Sequence, residues 1–268
     1  MRLLSSLVGI IAVIYIPKQF RKFIFRLYTK IYDLNESEFN RGYDQYINFQ
    51  DFFTREIDPK LRPIAEVKII SPVDGNVVDF GNFNDKDEIL VKSFPYLLSE
   101  LIPNGDLSKN FIGGFYIILY LSPRDYHRIH FPISGKMTGW IGYQGELKTV
   151  NPKQGEKLAT VLVRNERIIS IIEDPQSRKI AVVKVGATNV GSISLTKANI
   201  KSERSINPFK QYYPVDYTTL DIKIEKGEEL ARFNLGSTVV LCFEKYMINK
   251  CGLEKGQSIK MGQDLKLF

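Results

Sequence analysis

The sequence predicts an α+β protein in which two or three helices precede a mostly antiparallel β body. Two observations support this prediction. Residues 18–31 have the periodicity of an amphipathic helix, whereas from about residue 67 onward the apolar residues fall in short runs separated by turn-forming residues. A length of 268 residues with 44% apolar and 25% charged residues allows a substantial core and argues against a disordered chain or a polytopic membrane protein.

The predicted β body consists of seven short runs rich in apolar and β-branched residues. Gly, Pro, Asn and Asp separate these runs, as is typical of strands joined by turns and loops. No internal repeat and no low-complexity segment interrupts them. The predicted strands are residues 67–70, 115–121, 158–163, 168–172, 180–185, 193–195 and 238–243.

Positive charge is concentrated at the N terminus. The chain carries 37 Lys and Arg against 30 Asp and Glu, which gives a net charge of +7. Basic residues but no acidic ones lie in residues 1–32, so the rest of the chain is nearly neutral. A nucleic-acid-binding surface would normally spread through the fold, so we expect no nucleic-acid partner. The basic residues of this segment are Arg2, Lys18, Arg21, Lys22, Arg26 and Lys30.

The N-terminal segment is predicted to attach the protein to a membrane. Residues 3–16 form an apolar run that is shorter than the roughly 20 residues a helix needs to cross a bilayer. An apolar run followed by a basic amphipathic helix is typical of monotopic attachment to anionic lipid. The alternative is a helix that buries its apolar face in the core. The apolar face consists of Phe20, Phe23, Ile24, Leu27 and Ile31.

Scarce residue types limit the chemistry. Cys242 and Cys251 are the only cysteines and form no Cys-x-x-Cys pair, so we expect neither a disulfide scaffold nor a structural zinc site. His127 and His130 are the only histidines, so any chemistry that needs an imidazole near neutral pH must use them. No third His or Cys lies nearby, and a metal site is therefore not expected. Residues three apart in an extended segment point to opposite faces, which predicts different roles for the two histidines.

Two other segments are candidates whose roles stay open on the residues alone. Residues 71–75 (SPVDG) contain an Asp-Gly turn signal, and this pattern favours a turn-forming role for Asp74. Ser237 follows Gly236 at the start of the last apolar run. A serine there is either structural or, if a histidine and an acid converge on it, a nucleophile.

Taken together, these segments resemble the phosphatidylserine decarboxylase family, the pyruvoyl-dependent enzymes of phospholipid synthesis. The resemblance extends from about residue 49 to the C terminus and keeps the order of the motifs. Departures are small: Ser93 and Ala231 stand where a glycine is common, and the phenylalanine that often precedes Asn165 is missing. The matching motifs are Phe52-Phe53-Thr54-Arg55, Ser71-Pro72-Val73-Asp74-Gly75, Ser122-Pro123-Arg124-Asp125-Tyr126-His127-Arg128-Ile129-His130, Asn165-Glu166-Arg167, Val185-Gly186-Ala187-Thr188, Val190-Gly191-Ser192, Lys226-Gly227-Glu228-Glu229-Leu230 and Leu235-Gly236-Ser237-Thr238.

The resemblance implies a proenzyme that cuts its own Gly236–Ser237 bond. The products would be a β chain of residues 1–236 and an α chain of residues 237–268, with Ser237 converted to a covalent pyruvoyl group. The resemblance assigns to His130 the role of base in this cleavage, with Asp74 fixing its tautomer and stabilising its charged form. His127 is assigned to decarboxylation. No soluble cofactor and no metal would be needed.

The resemblance also implies the substrate and its location. The pyruvoyl ketone would form a Schiff base with the amine of phosphatidylserine and accept the electrons released as carbon dioxide leaves, which yields phosphatidylethanolamine. Because this substrate stays in the bilayer, we expect an anionic membrane as partner, with the protein on the cytoplasmic face of the cell membrane. Residues 1–32 would be the membrane-associating segment and residues 33–268 the catalytic domain. A homodimer through the β body is also expected.

Two rival functions fit parts of the sequence. A membrane-associated serine hydrolase would use Asp74, His130 and Ser237 in ordinary turnover and would keep an intact chain. A β-rich carrier or binding module would use the turns at residues 73–75 and 226–228, which resemble those of biotinyl and lipoyl domains. The absence of a Met-Lys-Met-type attachment lysine argues against covalent modification of such a module.

Overall fold

The structure, a computed structural model, confirms an α+β fold with a mostly antiparallel body. It describes residues 10–84, 88–91, 94–146, 148, 155–187, 193–198, 200–201, 217–234 and 237–268. The strands are β1 (Gly75–Asn82), β2 (Glu88–Val91), β3 (Phe94–Leu97), β4 (Phe115–Leu121), β5 (Arg128–His130), β6 (Gly135–Tyr143), β7 (Arg167–Glu173), β8 (Lys179–Gly186), β9 (Ile193–Leu195), β10 (Ile200–Lys201), β11 (Thr218–Ile224), β12 (Glu229–Phe233), β13 (Ser237–Phe243) and β14 (Ser258–Ile259).

Helices are short and lie outside the sheets. Three 3-10 turns accompany them, at Glu36–Glu38, Tyr43–Gln45 and Pro59–Leu61. In the part of the chain that the structure describes, no helix is both long and apolar enough to span a bilayer. The α-helices are α1 (Lys18–Tyr32), α2 (Phe49–Phe53), α3 (Leu98–Leu101), α4 (Gly105–Lys109) and α5 (Gly155–Arg164).

Two sheets enclose the main core. The larger sheet has eight strands in the order β11-β6-β7-β8-β13-β4-β1-β14, and the smaller has four in the order β10-β9-β12-β5. The main apolar cluster draws residues from both sheets, whereas a second cluster lies on the opposite face of the large sheet and includes Leu98 and Leu101 of α3 and Leu162 of α5. The large sheet is therefore covered on both faces.

The central strand β13 shows this two-sided burial most clearly. Val239 and Leu241 belong to the main cluster, and Val240 and Cys242 to the second cluster. Because both faces are buried, the strand is a continuous apolar run without polar alternation. At its first residue, Ser237, the backbone pairs with Leu121 of β4 on one side and with Gly186 of β8 on the other.

Two of the seven predicted strands are wrong. Residues 158–163 lie in α5, because Val161 and Leu162 face the second cluster while Thr160 is exposed, which is a helical rather than an alternating pattern. Residues 67–70 form no strand and make only an isolated bridge between Ile70 and Asp264. The other five predicted strands are confirmed within one or two residues of their ends.

α1 confirms the predicted amphipathic helix but packs differently from a core helix. Its buried residues are Arg21, Phe25 and Thr29. The Phe25 ring stacks on Phe52 of α2 at 4.6 Å, and the Arg21 guanidinium donates to the carbonyl of Ile16 at 2.7 Å. The predicted apolar face points away from the body instead. Its exposed members are Phe20, Phe23, Ile24, Leu27 and Ile31.

Gly75 allows β1 to approach β4 closely. A Cβ atom at this position would overlap the backbone carbonyl oxygen of Tyr120 on β4. That oxygen belongs to backbone and cannot move aside without disturbing the pairing between Asn76 and Tyr120. The glycine of the Asp-Gly pair is therefore needed for strand packing, and it holds Asp74 at the end of the large sheet.

We expect Gly75→Ala to lower the melting temperature by about 5 °C, because overpacking against fixed backbone costs about 1–3 kcal/mol. The matched control is Gly105→Ala, since a Cβ at Gly105 meets nothing within 4 Å. Thermal unfolding followed by circular dichroism compares the two variants. Equal melting temperatures for both variants would contradict this account of Gly75.

Candidate active site

The predicted cleavage site is flanked by described backbone on both sides. After it, Ser237 opens β13 at the centre of the large sheet. Before it, the backbone N–H of Phe233 donates to the carbonyl of His127 at 3.0 Å. Residues 235 and 236 lie outside the described part of the chain, as does the Ser237 side chain. The segment that contains the cleavage site thus begins beside the first histidine and ends in the central strand.

Asp74 is buried among cations at the start of β1. Arg62 donates to its carboxylate from Nε at 2.9 Å and from Nη2 at 2.6 Å. The ammonium group of Lys260 lies 3.3 Å from the carboxylate, and the backbone N–H of Met261 donates to it at 2.8 Å. Such charge-assisted hydrogen bonds are stronger than neutral ones. Asp74 therefore joins the segment before β1 to the C-terminal segment of the chain.

His130 ends β5, and both of its ring nitrogens have partners. Nδ1 lies 2.7 Å from the carbonyl oxygen of Gly227, and Nε2 lies 3.1 Å from the hydroxyl of Tyr126. A carbonyl only accepts, so Nδ1 carries the proton and Nε2 carries the lone pair to which Tyr126 donates. Burial lowers the pKa of His130, although the Gly227 carbonyl acts in the opposite direction. A neutral imidazole with a lone pair on Nε2 can act as a base.

Among the described contacts, Asp74 makes no hydrogen bond to His130, so its predicted role in fixing the tautomer stays a prediction. The carbonyl of Gly227 accepts from Nδ1 of His130, and the Asp74 carboxylate bonds to Arg62 and Lys260. The backbones of the two residues are nevertheless close, because the N–H of His130 donates to the carbonyl of Pro72 at 2.8 Å. The charge of Asp74 favours protonation of His130, but it is one of the weaker influences on that pKa. Its effect on His130 is electrostatic.

His127 lies deeper than His130 and is fully buried. Its Nδ1 donates to the backbone carbonyl of Asp125 at 2.8 Å, and its ring lies 4.0 Å from the ring of Phe53. Among the described residues, its Nε2 has no hydrogen-bond partner. Burial, reinforced by the charge of Arg55, lowers the pKa of His127 to about 3. At neutral pH the imidazole is therefore uncharged and presents a lone pair on Nε2.

A tight turn after β4 sets the position of His127. The carboxylate of Asp125 accepts from the backbone N–H and from the hydroxyl of Ser122, each at 2.7 Å. The backbone N–H of Asp125 in turn donates to the carbonyl of Ser122 at 2.9 Å. These bonds hold the Asp125 carbonyl in the direction of the His127 ring. The Ser-Pro-Arg-Asp motif is thus a structural support for the histidine that follows it.

A pocket lies beside His130. Its volume is about 250 Å³, and His130 and Tyr126 form part of its wall. Gly227, with φ +86°, completes the wall where a Cβ would meet the side chain of Ile64. The other lining residues are Ile57, Pro59, Arg62, Pro63 and Met261. His130 therefore lines an open volume together with Tyr126 and Arg62.

Several residues of the site were not identified as functional from the sequence. Tyr126 and Gly227 stand inside quoted motifs, yet nothing in their spacing reveals that both contact the ring of His130. Arg62 and Lys260 lie far apart in the chain, and both contact the carboxylates of Asp74 and Glu38. Only Gly227 could have been noticed from the sequence, because a glycine between two charged residues often marks a turn with positive φ.

Comparison with known proteins identifies the family. A family model described as phosphatidylserine decarboxylase matches residues 49–266. The chain belongs to the phosphatidylserine decarboxylase family. The phosphatidylserine decarboxylase proenzyme of Myxococcus xanthus is 36% identical over 244 residues, which cover 90% of this chain and 85% of that protein. The proenzyme of Alteromonas mediterranea is 35% identical over 267 residues, which cover 98% of this chain and 82% of that protein.

Membership in the phosphatidylserine decarboxylase family confirms the main prediction from the sequence. A third relative, the proenzyme of Chromobacterium violaceum, is 38% identical over 201 residues. All three relatives carry the same enzyme name, so the comparisons do not support the rival serine hydrolase, and they indicate an enzyme rather than a carrier module. The matched range includes both histidines, Asp74 and Ser237.

We expect both histidines to titrate below the ordinary histidine pKa of about 6.5. Burial disfavours the charged imidazolium, so His127 should stay neutral until the pH approaches 3 and His130 should also titrate below 6.5. NMR titration of the ring protons measures both values, and His127→Gln and His130→Gln assign the two signals. A His127 midpoint near 6.5 would contradict the buried position described above.

Proposed function

We propose that this chain is a self-cleaving proenzyme that becomes a phosphatidylserine decarboxylase and forms phosphatidylethanolamine and carbon dioxide. The observation that carries the proposal is the match of residues 49–266 to this family, in a chain whose two buried histidines lie beside the segment that precedes Ser237. The cofactor in this proposal is a covalent pyruvoyl group derived from Ser237. No diffusible cofactor takes part.

Cleavage begins with attack of the Ser237 hydroxyl on the carbonyl carbon of Gly236. His130 accepts the hydroxyl proton at Nε2, the nitrogen that carries the lone pair, and returns a proton to the departing amine. The amide bond breaks and an ester forms. β-Elimination from the ester then releases the carboxylate of Gly236, and hydrolysis of the resulting enamine releases ammonia and leaves the pyruvoyl group.

The residues around the start of β13 fit such a group. When present, a pyruvoyl group supplies a conjugated carbonyl that accepts the electrons released as carbon dioxide leaves. His127 offers a fully buried Nε2 without a partner in the described chain, which is unusual unless a further group completes the site. Its neutral imidazole and the ring of Phe53 are buried and exclude water from one side of the site, so a carboxylate there is poorly hydrated. Poor solvation of the carboxylate favours its loss as uncharged carbon dioxide.

Intact-mass spectrometry under denaturing conditions tests the cleavage. We expect two chains, residues 1–236 and 237–268, the second lighter by one ammonia than the same fragment with an N-terminal serine. Ser237→Ala and His130→Gln should remain single chains. His127→Gln should split normally but form no phosphatidylethanolamine, because its proposed role begins after cleavage.

Results for the wild type and the three variants separate self-cleavage from decarboxylation. A wild-type chain that stays intact and yet hydrolyses lipid esters would overturn the decarboxylase proposal in favour of a hydrolase. Normal decarboxylation by His127→Gln would contradict the division of roles between the histidines. Circular dichroism of each variant shows whether a failure to split reflects misfolding.

We also propose that α1 holds the enzyme on the anionic cytoplasmic face of the cell membrane. Phe23 is 71% exposed and Ile31 is 63% exposed, so the apolar face of α1 is not used by the core. Lys22, Arg26 and Lys30 follow one another along the same helix and border this face. Apolar and basic side chains in this arrangement favour an anionic lipid surface. A homodimer through the β body stays a prediction.

The membrane proposal predicts that Phe23→Ser, Leu27→Ser and Ile31→Ser together weaken vesicle binding at least about 10-fold, because each loses an apolar side chain worth roughly 1.5–3 kcal/mol when buried. Sedimentation with vesicles of phosphatidylcholine and phosphatidylglycerol measures the binding. Deletion of α1 is a poorer test because Phe25 packs on the body.

The control for this test is Ile112→Ser, which removes a 39% exposed isoleucine outside α1. Its vesicle binding should equal that of the wild type. If the triple variant also binds like the wild type while its self-cleavage is normal, α1 is not the membrane contact.

A further inference from the structure

Arg55 is a buried cation whose role the cleavage and decarboxylation steps leave unexplained. Its side chain follows α2 and is only 2% exposed. Nη2 donates to the backbone carbonyl of Arg124 at 2.9 Å and lies 3.5 Å from that of Asp125. Within the described chain, Nε and Nη1 have no hydrogen-bond partner. Burial lowers the pKa of Arg55, but a guanidinium stays protonated at neutral pH.

Two neighbouring buried arginines show what Arg55 lacks. Arg62 contacts two carboxylates, those of Glu38 and Asp74. Arg128 likewise contacts two carboxylates, and its Nε donates to the carbonyl of Thr54, the residue before Arg55. Arg55 forms no such ion pair with any described carboxylate. It is held in place by its neighbours but has unused donors and an unbalanced charge.

The aromatic rings around Arg55 do not satisfy those donors. Its guanidinium lies 5.2 Å from the ring centre of Phe39 and 5.8 Å from that of Phe52. Cation–π contacts of this kind stabilise the charge. They accept no hydrogen bond in the guanidinium plane, where Nε and Nη1 donate. Each buried donor left unpaired costs about 1–3 kcal/mol, and such an arrangement in a folded protein calls for an explanation.

His127 and Arg55 are direct neighbours. Nδ1 of His127 and Nη2 of Arg55 both point at the backbone carbonyl of Asp125, at 2.8 and 3.5 Å. The charge of Arg55 is also the second cause of the lowered pKa of His127. The three buried polar atoms without partners, two on Arg55 and one on His127, therefore belong to two side chains that meet at one backbone carbonyl. Together they offer two donors, one acceptor and one positive charge.

We propose that Arg55 binds the phosphodiester of the serine phospholipid through Nε and Nη1, while His127 faces the serine end of the headgroup. This inference rests on the proposed function and adds a recognition residue to it. A guanidinium matches a phosphate with two parallel hydrogen bonds. The phosphate supplies the negative charge that the described chain does not provide.

The reaction favours the phosphodiester over the substrate carboxylate as the group that Arg55 binds. The carboxylate loses its charge as carbon dioxide forms, so an ion pair with Arg55 would stabilise the reactant and slow the step. The phosphodiester keeps its charge throughout, and an ion pair with it strengthens binding without opposing the chemistry.

Arg55 and His127 lie close to α1, the helix proposed to contact the membrane. Tyr28 of α1 contacts the ring of Phe52 and donates to the carbonyl of Pro123 at 3.2 Å. Arg55 lies against the same Phe52 ring, and His127 lies against the neighbouring Phe53. A headgroup bound by Arg55 and His127 would therefore be held close to the proposed membrane-contacting helix.

The test is the steady-state kinetics of self-cleaved Arg55→Gln on dihexanoyl phosphatidylserine, which needs no membrane. We expect KM to rise at least about 10-fold, because the variant loses charge-assisted hydrogen bonds to the substrate. We expect kcat to change by less than about 3-fold. The inhibition constant of dihexanoyl phosphatidylethanolamine, which has the phosphodiester but no carboxylate, should rise by the same factor. Arg55→Lys keeps the charge, so its KM and inhibition constant should lie between those of the wild type and those of Arg55→Gln.

The matched control is Arg124→Gln, which removes the same charge from an exposed side chain next to the site. It should leave KM and the inhibition constant unchanged. A raised KM with an unchanged inhibition constant would show that Arg55 binds the carboxylate and would overturn the proposal. A normal KM, or a loss confined to kcat and melting temperature in both Arg55 variants, would show a structural role and would also overturn it.

The same samples separate this inference from the proposed function. If the wild-type chain is not split between residues 236 and 237, or forms no phosphatidylethanolamine, the proposed function fails. If the wild type is active and Arg55→Gln has normal KM, only the phosphodiester site fails. Arg55→Gln must itself be split in the mass spectrum before its kinetics are compared. If it is not split, Arg55→Lys carries the comparison, and its normal KM overturns the inference.

Discussion

Burial of the large sheet on both faces is the constraint on which the rest of the structure depends. β13 and its neighbours β4 and β8 pack against the small sheet on one face and against α3 and α5 on the other. Their residues are therefore mostly apolar, and a buried polar side chain such as Lys184 of β8 needs an internal partner, which Ser170 of β7 provides. The candidate site residues lie at strand ends. Asp74 precedes β1 and Ser237 opens β13 in the large sheet, whereas His130 ends β5 in the small sheet.

Four of the five correctly predicted strands, β4, β7, β8 and β13, are buried on both faces, and their continuous apolar runs need no partner to be recognised. Prediction failed where tertiary packing decides the structure. Residues 158–163 are apolar and β-branched enough for a strand, but α5 forms because Val161 and Leu162 can meet the sheet only as a helix. β6 and β11 were missed because glycines and charged residues interrupt their apolar pattern.

For the candidate site too, some features could be predicted from the sequence and others depend on tertiary packing. The scarcity of histidine and the family resemblance were enough to single out His127 and His130, and the structure places both in buried positions. The partners of these residues are mostly backbone carbonyls, which have no sequence signature. The family resemblance assigned Asp74 to His130, whereas in the structure the Asp74 carboxylate accepts a charge-assisted hydrogen bond from Arg62. Orientation by Gly227 leaves Asp74 free to link two segments of the chain.

The position of β13 inside the large sheet has a consequence for the stability of the cleaved protein. Its backbone is bonded to β4 and β8, and the chain that follows returns to Ser71 and Asp74 through Gly262 and Met261. Loss of the covalent link at position 236 would therefore remove none of these contacts. The two fragments would form a non-covalent complex in which the smaller one supplies an interior strand, and they could separate only if the whole sheet unfolded.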